Sequence, residues 1–360
     1  MTERLQAFRS VLANQNIALD GLFITKPENR AYLSGFTGSF GYLLVTNQAA
    51  ILFTDGRYVE QAAAQAPGWE IIRLQRPFEE SVVPELKRLE VARLGFEADH
   101  LSFNEYQFWT SKTEKTEWIP TTGLLAQLRQ RKGQEEVTAI KRAIEISEKA
   151  FEHLLGLLQP GLTERDAAAE LEYAMRKYGA DAIAFDTIVA SGSRGALPHG
   201  RASDKKLEAG EFITFDFGAR WEGYNADITR TVFLGAGQKP DNRQVQVYNL
   251  VKEAQLAGIE AVQAGTPANT ADSVVRIIFE KAKMLEYYLH STGHNLGREV
   301  HEAPFLTPSD TTLLEPGMVL TVEPGLYISD WGGVRIEDDL LVTETGVEVL
   351  PHLSKDLIVL

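Results

Sequence analysis

The chain has 360 residues, 44% hydrophobic and 24% charged, the make-up of an ordinary globular protein, which excludes long disorder, fibrous repeats and coiled coil and on length favours two domains. Thirty-six Lys and Arg against fifty Asp and Glu leave a formal charge of -14, a field that repels phosphate backbones and anionic headgroups, so neither nucleic acid nor a membrane is an expected partner. No cysteine occurs, which removes disulfides, thiolate metal sites and cysteine nucleophiles together. The first ten residues mix Glu3, Arg4, Gln6 and Arg9 with isolated apolar positions instead of forming the apolar stretch of a secretory signal. Nowhere do about eighteen apolar residues run together, so a soluble, cytoplasmic protein is expected.

From the amino terminus, short β-type runs alternate with helical patterns, as in an α/β domain whose sheet is sandwiched by helices. Strands are expected at 21–25, 42–46 and 49–53, the last two joined at Asn47 and Gln48 although that pair is not favoured hairpin chemistry. A helix over 56–65 is stopped by Pro67 and Gly68, and the alternation continues as strand 70–74, helix 79–89, strand 92–96, helix 104–112 and strand 117–120. A polar stretch over 127–141, with Arg129, Arg131, Lys132, Glu135, Glu136 and Lys141, reads as the crossing into a long helix. The domains are therefore placed at 1–130 and 131–360.

The second domain echoes itself. A glycine-started amphipathic stretch begins near Gly161, with Thr163 and Asp166 at capping-box spacing, and another begins near Gly265. Each leads to a pair of β-type runs, as if one helix-plus-hairpin unit were used twice.

Carboxylates fall at matching places in the two halves. Ile213, Phe215 and Phe217 alternate with Thr214 and Asp216, putting Asp216 within a strand. Gly223 permits a turn, and Asp227, Thr229 and Thr231 return in phase, which can bring Asp227 beside Asp216. In the second half, runs at 319–323 and 334–341 carry Glu323 and Glu337, so that four acids are expected on four apolar strands. Two like charges about 4 Å apart repel by roughly 4 kcal/mol at an effective dielectric near 20, so a cation is required. Arg335 or Arg230 is available to neutralise one acid, and for any single acid an edge position touching water is the competing reading.

Of seven histidines, His290, His294 and His301 lie just before the Glu323 run, and His199 follows Leu197 and Pro198. Four oxygen donors with one imidazole and no sulfur suit two divalent ions at a catalytic site better than structural zinc. Such a pair balances four carboxylates and acidifies a shared water into a hydroxide nucleophile.

The ordered set Asp216, Asp227, the Thr292 to His294 segment, the Thr321 to Gly325 segment and the Arg335 to Asp338 segment resembles the pita-bread metallopeptidases, which include methionine aminopeptidase, prolidase and aminopeptidase P. The resemblance spans 131–360. Tyr32 to Phe36 and Thr54 to Tyr58 resemble the creatinase-type amino-terminal domain, which methionine aminopeptidases lack. The fold class implied is α/β (α+β): that α/β domain, followed by a catalytic domain with a pseudo-twofold antiparallel sheet flanked by helices. The resemblance further implies that Asp216 chelates one metal, that His294 and Glu323 bind the other, and that Asp227 and Glu337 bridge them. Manganese is the first expectation, with cobalt, zinc or iron as alternatives. Glu323 would also take the proton of the bridging water, His301 would hydrogen-bond the scissile carbonyl, His199 and His290 would contact substrate, and Arg335 would orient the bridging glutamate. Asn295 and Arg298 stand where relatives often have Gly and an apolar residue, which bears on loop shape.

The implied activity is hydrolysis of the bond between an amino-terminal residue and proline in short peptides, by a homodimer. Between its two forms the contexts of 32–36 and 195–200 lean to aminopeptidase P, with Xaa-Pro dipeptidase (prolidase) as the alternative. The metal-free creatinase and a peptide-binding scaffold on a retired peptidase are disfavoured because all five ligand positions and His301 are intact.

Overall fold

The computed structural model describes residues 3–360; Met1 and Thr2, the start of the segment read above for targeting, lie outside the described residues. Internal packing divides the chain into two units, 1–128 and 129–360. No helix among the described residues is long and apolar enough to cross a membrane.

The first unit is built on a six-stranded sheet in the order Glu70–Arg73, Ala50–Thr54, Tyr42–Thr46, Gly21–Ile24, Arg93–Glu97, Glu117–Thr121. Gly21–Ile24 runs antiparallel to Tyr42–Thr46 and parallel to Arg93–Glu97. Side chains alternate across the sheet, so Leu22, Ile24, Leu43, Val45 and Leu52 enter one apolar core while Phe23, Leu44, Ile51 and Phe53 enter the other. The disfavoured turn after Tyr42–Thr46 is held by Thr46, whose hydroxyl accepts from the backbone N–H of Gln48 (3.2 Å) and Ala49 (2.9 Å). Two helices not anticipated from the sequence, Glu3–Ala13 and Pro27–Ser34, also belong to this unit. The second begins at a proline and ends at Gly35 in the left-handed region (φ 79°).

The second unit opens with helix Gln134–Leu155, whose Val137, Ile140, Ile144, Phe151 and Leu154 recur at helical spacing and are buried. Phe151 stacks on Phe217 with ring centroids 5.0 Å apart, so this helix lies against the strand that carries Asp216. Helix Glu164–Lys177 follows behind a complete Thr163–Asp166 capping box. A second pair, Asn242–Ala261 and Asn269–Lys281, stands in the same chain relation to the second half. The first half's sheet has the order Ile358–Val359, Ile228–Leu234, Glu211–Phe217, Ile188–Ser191. The second half's has the order Glu302–Leu306, Gly293–Asn295, Val319–Val322, Asp338–Thr343, Gly346–Val349.

The run expected at 334–341 is two strands. Gly332–Arg335 pairs with Gly325–Ile328, and Asp338–Thr343 pairs with Val319–Val322. The first half does the same, with Tyr224–Asn225 and Ile228–Leu234 on either side of an interruption. Asp227, Glu323 and Glu337 all sit in such interruptions, and only Asp216 lies within a strand. Asp227 is not directly opposite Asp216, whose cross-strand partner is Thr229. The correction has a physical basis: where the ladder breaks, a strand leaves one sheet for another and its side chain turns into the space between them.

Candidate active site

The interruptions converge on one pocket. Oxygens of Asp227 and Glu337 and a ring nitrogen of His294 lie within 4.8 Å of one another. His294 Nε2 is 3.4 Å from Glu323 Oε1 and 3.7 Å from Asp227 Oδ2. Its Nδ1 lies 3.2 Å from the carbonyl oxygen of Asn295, which can only accept, so Nδ1 carries the proton and Nε2 presents a lone pair to the acids. Burial, with His301 alongside, lowers the His294 pKa to about 3, so the ring is neutral.

The acids are strained by the same burial. It pushes Glu323 up to about 8 from 4.5, with Arg335 opposing and Asp216 adding to the rise. Asp227 and Glu337 are raised well above the carboxylate range, first by burial and then by neighbouring acids. Asp216 Oδ1 and Glu337 Oε1 are buried without a hydrogen-bond donor. A neutral nitrogen lone pair set among clustered carboxylates, two of whose oxygens lack any donor, is satisfied by a divalent cation, and the N/O set without sulfur fits the harder dications.

Arg335 is the counter-charge. Its Nη2 donates to Asp216 Oδ2 at 2.6 Å, its Nε to the Thr229 hydroxyl at 3.0 Å, and its Nη1 to Tyr327 Oη at 2.7 Å and to the Pro198 carbonyl at 3.2 Å. Arg335 reaches Glu337 through Thr229, whose hydroxyl donates to Glu337 Oε2 at 2.7 Å. Burial opposes the Arg335 charge, yet Tyr327, Asp216 and Glu337 hold its pKa above the ordinary value. Arg230, the other candidate counter-charge, pairs with Asp338 at 2.7 Å and also holds the Glu337 carbonyl, bracing the backbone from behind.

The sequence reading gave no role to Thr229, Tyr327 or Asp339. Thr229 was visibly in phase with Asp227, but a strand threonine carries no mark of what it bonds. Asp339 accepts from the Asp227 backbone N–H at 3.1 Å. Tyr327 fixes His290: the ring's Nδ1 donates to the Ser291 carbonyl (2.8 Å), so its Nε2 accepts from the Tyr327 hydroxyl (2.8 Å). Burial, with Arg335 nearby, lowers His290 to about 4. The neutral ring thus has both nitrogens engaged and faces the cavity without a free N–H.

His199, His290, His294 and His301 all line one cavity of about 520 Å³, together with Asp216, Asp227, Glu323, Arg335 and Glu337. His199 and His301 are exposed there. His301 packs edge-on to His294 at 4.5 Å, and its pKa is lowered chiefly by burial. Asn295 is wholly buried: its Oδ1 accepts from Lys132 Nζ at 2.6 Å and its Nδ2 donates to the Gln130 and Ala303 carbonyls. Arg298 lies over the Tyr224 ring at 4.4 Å.

Residues 138–344 match the model of metallopeptidase family M24, and residues 4–131 match that of the creatinase/prolidase N-terminal domain. The chain belongs to metallopeptidase family M24. It therefore has the pita-bread fold behind a creatinase-type α/β domain and is a peptidase of a divalent-metal family. Among its M24 relatives, the Xaa-Pro dipeptidase of Pyrococcus furiosus is 38% identical, with 99% of this chain and 100% of that protein covered. A solved Xaa-Pro dipeptidase from Bacillus anthracis superposes with a TM-score of 0.96 at 44% identity, covering 99% of each chain. The X-Pro aminopeptidase of Thermotoga maritima gives 0.90 at 38% identity, covering 96% of this chain and 98% of that one.

Proposed function

We propose that the protein is a divalent-metal-dependent Xaa-Pro dipeptidase. The observation that carries this is the neutral His294 Nε2 held against Asp227 and Glu323 beside Glu337, in a chain whose named relatives above include two such dipeptidases. On this reading Asp216, Asp227, His294, Glu323 and Glu337 hold two ions, with manganese the first choice. When bound, the ions supply Lewis acidity and lower the pKa of water.

Everything else is done by the chain. Glu323, as the carboxylate, takes the proton of the attacking water and passes it to the leaving proline nitrogen. His301, exposed in the cavity, donates to the carbonyl oxygen as negative charge develops there, and His199, exposed in the same cavity, contacts substrate beside it. His290, with no free N–H, meets substrate through its ring edge. Arg335 pins Asp216 directly and Glu337 through Thr229, holding both in the geometry the ions need. An Xaa-Pro bond has no N–H to be recognised, and Phe185, Ile188, Val300 and Phe305 give the cavity an apolar wall for the ring.

The reading departs from the lean to aminopeptidase P drawn from the sequence contexts. The likeness to the Thermotoga maritima enzyme keeps that second reading in play. Metal analysis joined to rate measurements on Xaa-Pro and Xaa-Pro-Xaa peptides tests both. Two ions per chain and a higher kcat/KM on the dipeptide are expected. A higher value on the tripeptide returns the assignment to aminopeptidase P, and absence of metal-restorable cleavage overturns the enzyme reading for this site.

A further inference from the structure

The proposed reaction leaves one pair of cavity charges unused. Asp186 and Arg201 stand at the cavity rim, their side chains 70% and 80% exposed, with Arg201 Nη2 2.9 Å from Asp186 Oδ2. Arg201 is anchored at the backbone: it bridges Ile188 in antiparallel register, and its N–H bonds the His199 carbonyl at 2.9 Å. Ile188 in turn pairs with Asp216. Asp216, Ile188 and Arg201 are thus successive cross-strand neighbours, and residues directly opposite one another across a ladder project from the same face. Two strand spacings put Arg201 roughly 10 Å from Asp216, backbone to backbone. An extended dipeptide spans about 7 Å, and an arginine side chain covers the remainder.

A dipeptide differs from every longer substrate in carrying a free carboxylate immediately after the proline ring. Among the described residues lining the cavity, the arginines are Arg201 and Arg335 and there is no lysine. Arg335 is buried with four of its five N–H donors committed to Thr229, Tyr327, Pro198 and Asp216. The Arg201 guanidinium pairs with an exposed acid, and an exposed ion pair of this kind is weak and readily exchanged.

We infer that Arg201 is a specificity residue that takes the carboxylate of an Xaa-Pro dipeptide, and that Asp186 is the competing acid the substrate displaces. The inference rests on the dipeptidase reading. It gives Asp186 a definite sign: with a carboxylate beside Arg201 an incoming carboxylate is both repelled and in competition, so neutralising Asp186 favours the substrate.

The test compares Ala-Pro with its carboxyl-terminal amide on the manganese-loaded protein, in the wild type, Arg201→Ala, Arg201→Lys and Asp186→Asn. Both positions of change are on the surface, so folding is not at stake. The wild type is expected to prefer the acid. Arg201→Ala should raise KM for the acid roughly ten- to hundredfold, with the loss in KM instead of kcat, and so abolish the preference, while Arg201→Lys recovers part of it. Asp186→Asn should lower KM for the acid. If the wild type prefers the acid and Arg201→Ala keeps that preference, the Arg201 assignment is overturned and the dipeptidase reading stands. A wild type indifferent to acid and amide overturns both. An Asp186→Asn variant whose KM for the acid rises overturns the competing role of Asp186.

Discussion

Thr229 shows how much one hydroxyl does in this site. It accepts from Arg335 Nε and donates to Glu337 Oε2, so a cation and an acid that are not in direct contact are coupled through a single rotor. Asp227 is the other pivotal residue: His294 and Glu337 converge on its carboxylate, and Asp339 holds its backbone N–H. Asp227→Ala is expected to lose metal and activity together, by more than about a hundredfold, since loss of an outer-shell partner alone costs up to that much. Metal content and cleavage rate measured on the same preparation check this, and full activity without Asp227 would refute its shared role. The acids and histidines of the site were legible in the sequence because buried charge is rare and seven histidines are few. Thr229 and Tyr327 were not legible, since hydroxyls in phase on a strand look alike until their partners are known.

At the scale of elements, strand Gly293–Asn295 and the segment that follows it carry both His294 and His301. Their support is a buried polar cluster. Lys132 donates to Asn295 and Glu302, and Glu302 also pairs with Arg129. Gly297 passes so close that a Cβ there would meet the Glu302 carboxylate and the Lys132 stem at 3.0 Å. Asn295, noted as a departure from relatives, is the hub of this cluster. Asn295→Ala leaves Lys132 and two backbone carbonyls short of partners and should cost about 2–3 kcal/mol, read as a lower denaturant midpoint. An unchanged midpoint would mean that water replaces the amide. Most strands and helices of the first unit were readable to within a few residues from alternation and from Pro and Gly punctuation. The strand breaks at 226–227, 323–324 and 336–337 were not, because the apolar alternation that marks a strand runs on through the point where the backbone changes partners.

For the whole molecule, the acids couple fold to pH. Burial places the Glu323 pKa near 8 against an ordinary 4.5, and Asp227 and Glu337 are raised as well. A carboxyl whose folded pKa exceeds its unfolded value contributes stability that is complete below about 4.5 and is lost as pH rises through about 8. Across that window the metal-free protein is progressively weakened, while a divalent ion, which needs the ionised acids, binds more tightly. The rise in Tm on adding manganese should therefore grow from pH about 4.5 to about 8. A rise that is flat or shrinks over that range would show that the acids are neutralised some other way.

The two halves of the second unit are stitched together by bonds between their own residues. Thr229 and Glu337 share a backbone hydrogen bond of 3.1 Å, Thr231 exchanges hydrogen bonds with Arg335, and Arg230 grips Asp338. Such a suture ties the half that carries Asp216 and Asp227 to the half that carries Glu323 and Glu337 along their backbones, so a change that loosens the seam disturbs both sets of acids at once.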